Sequence, residues 1–194
     1  MSMPDRGFSL IEMLVVLFVI VLMTSLVTLN VNFGSSDRLV QERLETLIAV
    51  AGFALDEAQF SGSDFGVLFV NSVNERGKST VTAHWRQRLI QGWREPQQSS
   101  EIFDSLVFPA SVRLQIMLDD VELVFAANDA VDPLAGVLPQ WLMFSSGETQ
   151  TGELLIRDRD DDVLLWRLSW DALGRFEQFR GEDDDAVGEY AAAR

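Results

Sequence analysis

The 194-residue chain has no cysteine and one histidine, His84. The first absence excludes disulfides, thiolate metal sites and cysteine nucleophiles; the second removes most histidine-based catalytic and zinc constellations. Positive charge is also scarce, with 15 Lys and Arg against 30 Asp and Glu and a formal net charge of −15. Such a balance repels nucleic acid and anionic lipid at long range and favours solubility, so a nucleic-acid partner is disfavoured. No convergent polar constellation suggests an enzyme, a cofactor or a small-molecule substrate. The segment SSGE, Ser145 to Glu148, lacks the G-x-S-x-G setting of a nucleophile elbow and reads as a turn. Missing cysteine does not identify a compartment, because a domain of this size is stable without disulfides on either side of a membrane.

What is present in excess is a long apolar run near the start. From Phe8 to Leu29 the only ionisable residue is Glu12. At about 1.5 Å per residue the run spans roughly 30 Å as a helix, the thickness of a bilayer core. It is too long for a cleaved secretory signal, no A-x-A pattern follows it, and the leader MSMPDRG carries one Arg. A charge inside a bilayer costs a few kcal/mol on insertion scales, so an idle glutamate argues against an ordinary signal anchor. Arg6 favours a cytoplasmic leader only weakly, since Asp5 offsets it.

Beyond the run, Asn30 to Asp37 (NVNFGSSD) collects a glycine and cap-forming residues, which reads as a break or flexible joint. Ser36 or Asp37 is a candidate N-cap for a second helical stretch, in which Val40, Leu44, Leu47, Ile48, Ala51, Leu55 and Ala58 form one apolar face. That stripe is suited to packing on a sheet, and Gly62 with Ser61 and Ser63 ends the helix. Short strand-like runs follow: Phe65 to Val70, Ser79 to Trp85, Val112 to Leu118, Glu122 to Phe125, Trp141 to Phe144, Glu153 to Arg157, Val163 to Trp170 and Arg175 to Phe179. The expected fold is α+β, a long N-terminal helix packed on an antiparallel sheet or sandwich. The tail GEDDDAVGEYAAAR is acidic, poor in bulky apolar residues and expected to be loose.

GFSLIE, Gly7 to Glu12, resembles the class III signal of type IV prepilins and type II secretion pseudopilins: a glycine, then phenylalanine, then glutamate as the fifth mature residue, with a long apolar helix behind. WREPQQSSEIFDSLVFPASVRLQI (Trp93 to Ile116) and PQWLMFSSGETQTGELLIRD (Pro139 to Asp158) resemble the H-type minor pseudopilin family, the GspH domain shared with FimT and FimU type minor pilins. The longer acidic tail and RDRDDD depart from that pattern. The resemblance implies that prepilin peptidase cuts between Gly7 and Phe8 and methylates the Phe8 amine. Residues 1–7 are then the leader, 8–29 the transmembrane and assembly helix, 30–62 an amphipathic helix continuing into the globular domain, 63–180 the periplasmic β-rich domain and 181–194 the tail. Glu12 becomes the assembly carboxylate, one helical turn behind Phe8. The implied protein is a non-catalytic minor pseudopilin in the bacterial inner membrane, single-pass, with its globular domain in the periplasm. Its partners are other minor pseudopilins and the major pseudopilin, and its role is to join the tip complex to the fibre below and support export of folded proteins. The alternative is a minor pilin of a type IV pilus.

Other candidates have plainer readings. Asp158, Asp160, Asp161 and Asp162 invite calcium, but the EF-hand glycine and distal glutamate are absent and a charged turn needs no ligand. The same holds for Glu182 to Asp185. No metal is expected. His84 beside Trp85 reads as a sheet-surface or hydrogen-bonded histidine. Trp85, Trp93, Trp141, Trp166 and Trp170 read mostly as packing residues, with Trp93, beside Gly92 and Pro96, as the one alternatively exposed to a partner.

Overall fold

The computed structural model describes residues 10–73, 77–97, 101–127 and 138–181, the side chains of 24–36 excepted. The chain forms two compact units, Met1–Arg38 and Leu39–Arg194. Helix α1 runs from Leu10 to Ser61. Its backbone is helical through Asn30 to Asp37, so the expected break and the N-cap at Ser36 or Asp37 do not form. The glycine costs a helix about 1 kcal/mol and the cap-forming residues less each, whereas a second helix would carry a fresh nucleation cost.

From Leu39 onward the helix belongs to the globular unit. Val40, Leu44, Leu47, Ala51, Leu55 and Ala58 are buried as the 3.6-residue spacing requires, and Ile48 packs at the edge of the same core. The helix stops at Gly62, whose φ of 66° lets its N–H turn back to the Ala58 carbonyl at 3.0 Å.

Two sheets and the helix share this core. The first sheet contains β1 (Phe65–Val73), β2 (Ser79–Leu89), β3 (Gly92–Arg94), β4 (Leu106–Val107), β7 (Ala126–Ala127) and β8 (Trp141–Met143). Its central order is β3-β2-β1-β7, with β4 also on β2 and β8 also on β1. The second contains β5 (Val112–Leu118), β6 (Val121–Glu122), β9 (Gly152–Asp158), β10 (Leu164–Trp170) and β11 (Phe176–Arg180), in the order β11-β10-β9-β5-β6. Pairing is antiparallel apart from the short β1–β7 contact at Val70 and Asn71. Phe65 to Val70 is buried along its whole length, which accounts for a continuous apolar run in place of an alternating one.

The expected strand from Glu122 to Phe125 is a crossing. After a two-residue turn at Asp119 and Asp120, whose φ values of 48° and 65° suit a tight hairpin, β6 pairs for two residues. The chain then leaves the second sheet and joins β1 of the first as β7. Between β8 and β7 the Gln140 side chain stands in for a strand residue: its Oε1 accepts the Phe69 N–H at 2.6 Å and its Nε2 donates to the Val124 carbonyl at 3.0 Å. Strands β3 and β4, too short to read from periodicity, complete the edge of β2.

The tryptophans hold the two sheets together. Trp141 and Trp170 lie with ring centroids 4.5 Å apart, and their indole N–H groups donate to Thr149 Oγ1 and the Gln150 carbonyl, each at 2.8 Å. Trp93 is buried too, paired through β3 to Arg88 of β2, so the exposed alternative for it does not hold. Its place in a hairpin rather than a loop is the reason.

Candidate functional site

Glu12 lies in the first turn of α1, an end of the helix where the macrodipole favours a carboxylate by a few tenths of a kcal/mol to about 1 kcal/mol. Around and after it, every side chain from Leu10 to Met23 is exposed, so this described stretch presents apolar surface all round the helix apart from Glu12. A helix apolar on every side is one that other apolar matter surrounds, lipid or neighbouring helices. Among the described residues no helical stretch is long and apolar enough to cross a membrane. Gly7 and Phe8, the expected cleavage pair, lie outside the described residues, as do the acidic tail and Glu182 to Asp185.

The remaining sequence candidates are occupied structurally. In the acidic turn, Asp158 Oδ1 accepts the Asp160 N–H at 2.8 Å, Asp161 Oδ1 accepts the Val163 N–H at 3.1 Å, and Asp162 pairs with Arg113 at 2.9 Å. Among the described residues no three carboxylate or imidazole groups are placed to share a metal ion. SSGE is the turn after β8, with the Gly147 N–H on the Phe144 carbonyl at 2.9 Å. Its Gly147 has φ 89°, and a Cβ there would come within 2.8 Å of the Gln59 side chain on α1. Asp64 ties this turn down: Oδ1 accepts the Ser145 N–H at 2.9 Å and Oδ2 pairs with Arg88 at 3.1 Å. Burial alone would raise the Asp64 carboxyl, but the Ser145 N–H and the Arg88 guanidinium outweigh it and hold the pKa below the ordinary value. His84, half-buried on β2, is pushed down by burial first and by Arg86 second, against an opposing pull from Glu95.

A feature the sequence reading missed lies beside His84. Arg86 is on β2 next to the buried Trp85, and strand alternation would turn one of the pair outward, yet both are buried. The β2–β3 register, Gln87 opposite Arg94, brings Glu95 to Arg86, where Nη1 and Oε1 lie 3.2 Å apart. Strand β3 covers the edge of β2 from Gln87 to Leu89 and β4 covers it at Thr82 and Ala83. Between them opens a cavity of about 290 Å³ lined by His84, Arg86, Glu95, Pro96, Phe103 and Asp104, among others. The signal was the Gly92 hairpin itself, which pairs an arginine and a glutamate nine residues apart.

Residues 2–28 match the family described as "Prokaryotic N-terminal methylation motif". Type II secretion system protein H of Pseudomonas aeruginosa is 25% identical over 170 residues, covering 86% of this chain and 91% of that protein. The chain resembles the H-type minor pseudopilins. In fold, it is similar to the crystal structure of the minor pseudopilin EPSH from the type II secretion system of Vibrio cholerae, with a TM-score of 0.55 at 19% identity over 76% of this chain and 99% of that one. The solution structure of E. coli GspH gives 0.53 at 14% identity over 76% and 92%. The pseudopilin-like architecture, a helix followed by antiparallel sheets, is the one observed here.

Proposed function

We propose that the chain is a minor pseudopilin of a type II secretion system, held in the bacterial inner membrane by its N-terminal helix with the globular unit in the periplasm. In this reading it enters a short fibre near the tip, links the tip subunits to the major pseudopilin and supports export of folded proteins; it is a structural subunit, not an enzyme. The observation that carries the reading is the methylation motif over residues 2–28, together with a helix whose first stretch is apolar apart from Glu12 and a β domain similar in fold to a minor pseudopilin. Prepilin peptidase would cut between Gly7 and Phe8 and methylate Phe8. Glu12 would then meet the free Phe8 amine of a neighbouring subunit in the helix stack. Either charge buried alone is costly, so only the register that pairs them is favoured.

The test is a clean deletion in the source bacterium, complemented by the wild-type chain, with secreted protein in the medium and surface pili scored side by side. Loss of secretion with pili intact is the expected result. Loss of pili with secretion intact would assign the chain to a type IV pilus instead.

A further inference from the structure

RDRDDD, Arg157 to Asp162, departs from the pseudopilin pattern and forms the turn between β9 and β10. The turn is fastened largely to itself. The Asp158 N–H returns to the Val163 carbonyl at 2.8 Å, and the carboxylates of Asp158 and Asp161 accept the N–H groups of Asp160 and Val163. Asp162, at φ 61°, pairs with Arg113 of β5 at 2.9 Å. One side chain reaches further. The Arg159 N–H meets the Ser111 carbonyl at 2.9 Å, one step beyond the pairing of Asp158 with Val112. Its Nη2 has two hydrogens and meets two carbonyls: Ser79 at 3.1 Å, where β2 of the first sheet begins, and Val112 at 2.9 Å, where β5 of the second begins. Attraction alone would hold a cation on the adjacent aspartates; the geometry puts its Nη2 on two peptide carbonyls instead. Reaching both leaves Nε enclosed with no acceptor among the described residues.

The two sheets have separate ladders, and the Trp141–Trp170 contact joins them at the other end. On the second sheet Trp170 stands opposite Gly152, which stands opposite Leu118, at the far end of β5 from Val112. On the first, Trp141 stands opposite Val67, which stands opposite Trp85, well along β2 from Ser79. At about 3.3 Å per residue, the two fastenings lie roughly 20 Å apart along either sheet. We infer that the β9–β10 turn is a clasp: through Arg159 it locks the first sheet to the second where β2 and β5 begin, and keeps that end from opening independently of the tryptophan end. Val81 and Val112 are buried at the same end, but apolar packing has no direction, whereas the clasp fixes which carbonyls face each other. The aspartates serve as the mount that presents Arg159, which gives the acidic turn a role without a metal ion. The clasp stands independently of the fibre-subunit reading.

The experiment is amide hydrogen–deuterium exchange on the full-length chain in detergent, wild type against Arg159→Gln. Exchange is read at Ser79 to Ala83 and Val112 to Ile116, with Trp141 to Thr149 as the far end. Loss of two hydrogen bonds from a charged donor should speed exchange at both near segments by at least about tenfold, while the far end keeps its wild-type rate. Unchanged exchange at the near end, or acceleration confined to one sheet, overturns the clasp. Equal acceleration at the far end makes Arg159 a general contributor to stability and overturns a local lock as well. Asp160→Asn changes the charge of the turn at an exposed position and none of these contacts, so it should match wild type. The same acceleration in that variant would assign the effect to charge and overturn the clasp. If Arg159→Gln does not fold, Arg159→Lys, which keeps the charge and lacks the planar fork, should open both near segments, and wild-type exchange in it overturns the two-carbonyl bridge.

Discussion

Two single residues carry tests of opposite kinds. Glu12 is exposed in the described unit, so Glu12→Ala should leave folding, membrane insertion and leader removal unchanged while fibre entry falls sharply, measured by crosslinking to the other pseudopilins. Wild-type levels of crosslinking in that variant would remove the assembly role. Asp64, by contrast, is a folding residue. Asp64→Ala strips the Ser145 N–H and Arg88 of their acceptor and should cost about 1–3 kcal/mol in urea denaturation. Gly147→Ala should cost a similar amount, about 1–3 kcal/mol, because φ 89° and the Gln59 side chain both oppose a Cβ. The motif at Gly7 to Glu12 was legible because its chemistry is local in sequence. Arg86 was not, because its burial depends on a register set by a hairpin too short to show periodicity.

At the scale of elements, α1 divides by exposure into two parts. Leu44→Ala lies in the core and should destabilise the globular unit by about 2–5 kcal/mol. Leu14→Ala lies on the exposed apolar run and should leave the denaturation midpoint unmoved, with any loss appearing in assembly. The helical face and the four longer strands of the second sheet could be read from spacing, Val112 to Leu118 to the residue. What could not be read was where the chain changes partner. Glu122 to Phe125 has the composition of a strand, but Leu123 donates its N–H back to the Ile116 carbonyl as the chain departs for β7. Nor does the sequence of Asn30 to Asp37 disclose that helix continues through it, since the gain there comes from extending an existing helix rather than from local propensity.

The whole molecule should lose stability in acid in two stages. His84 has a folded pKa below its ordinary value, so the unfolded chain binds a proton first; the contribution is complete above pH about 6.5 and fades as pH falls through the folded value. Asp64 acts lower, with its contribution present above about 3.8 and lost as pH falls through its depressed folded value. Thermal midpoints across pH should therefore decline more gently in His84→Gln than in wild type below pH 6.5, and identical slopes would contradict the assignment.

A processed prepilin helix and a plain anchor differ in what remains of residues 1–7 and in the state of the Phe8 amine. The direct measurement is the intact mass of the chain purified from membranes of a cell containing its own prepilin peptidase. The expected product is a polypeptide that begins at Phe8 and carries one methyl group on that amine. A chain that retains residues 1–7 would contradict it.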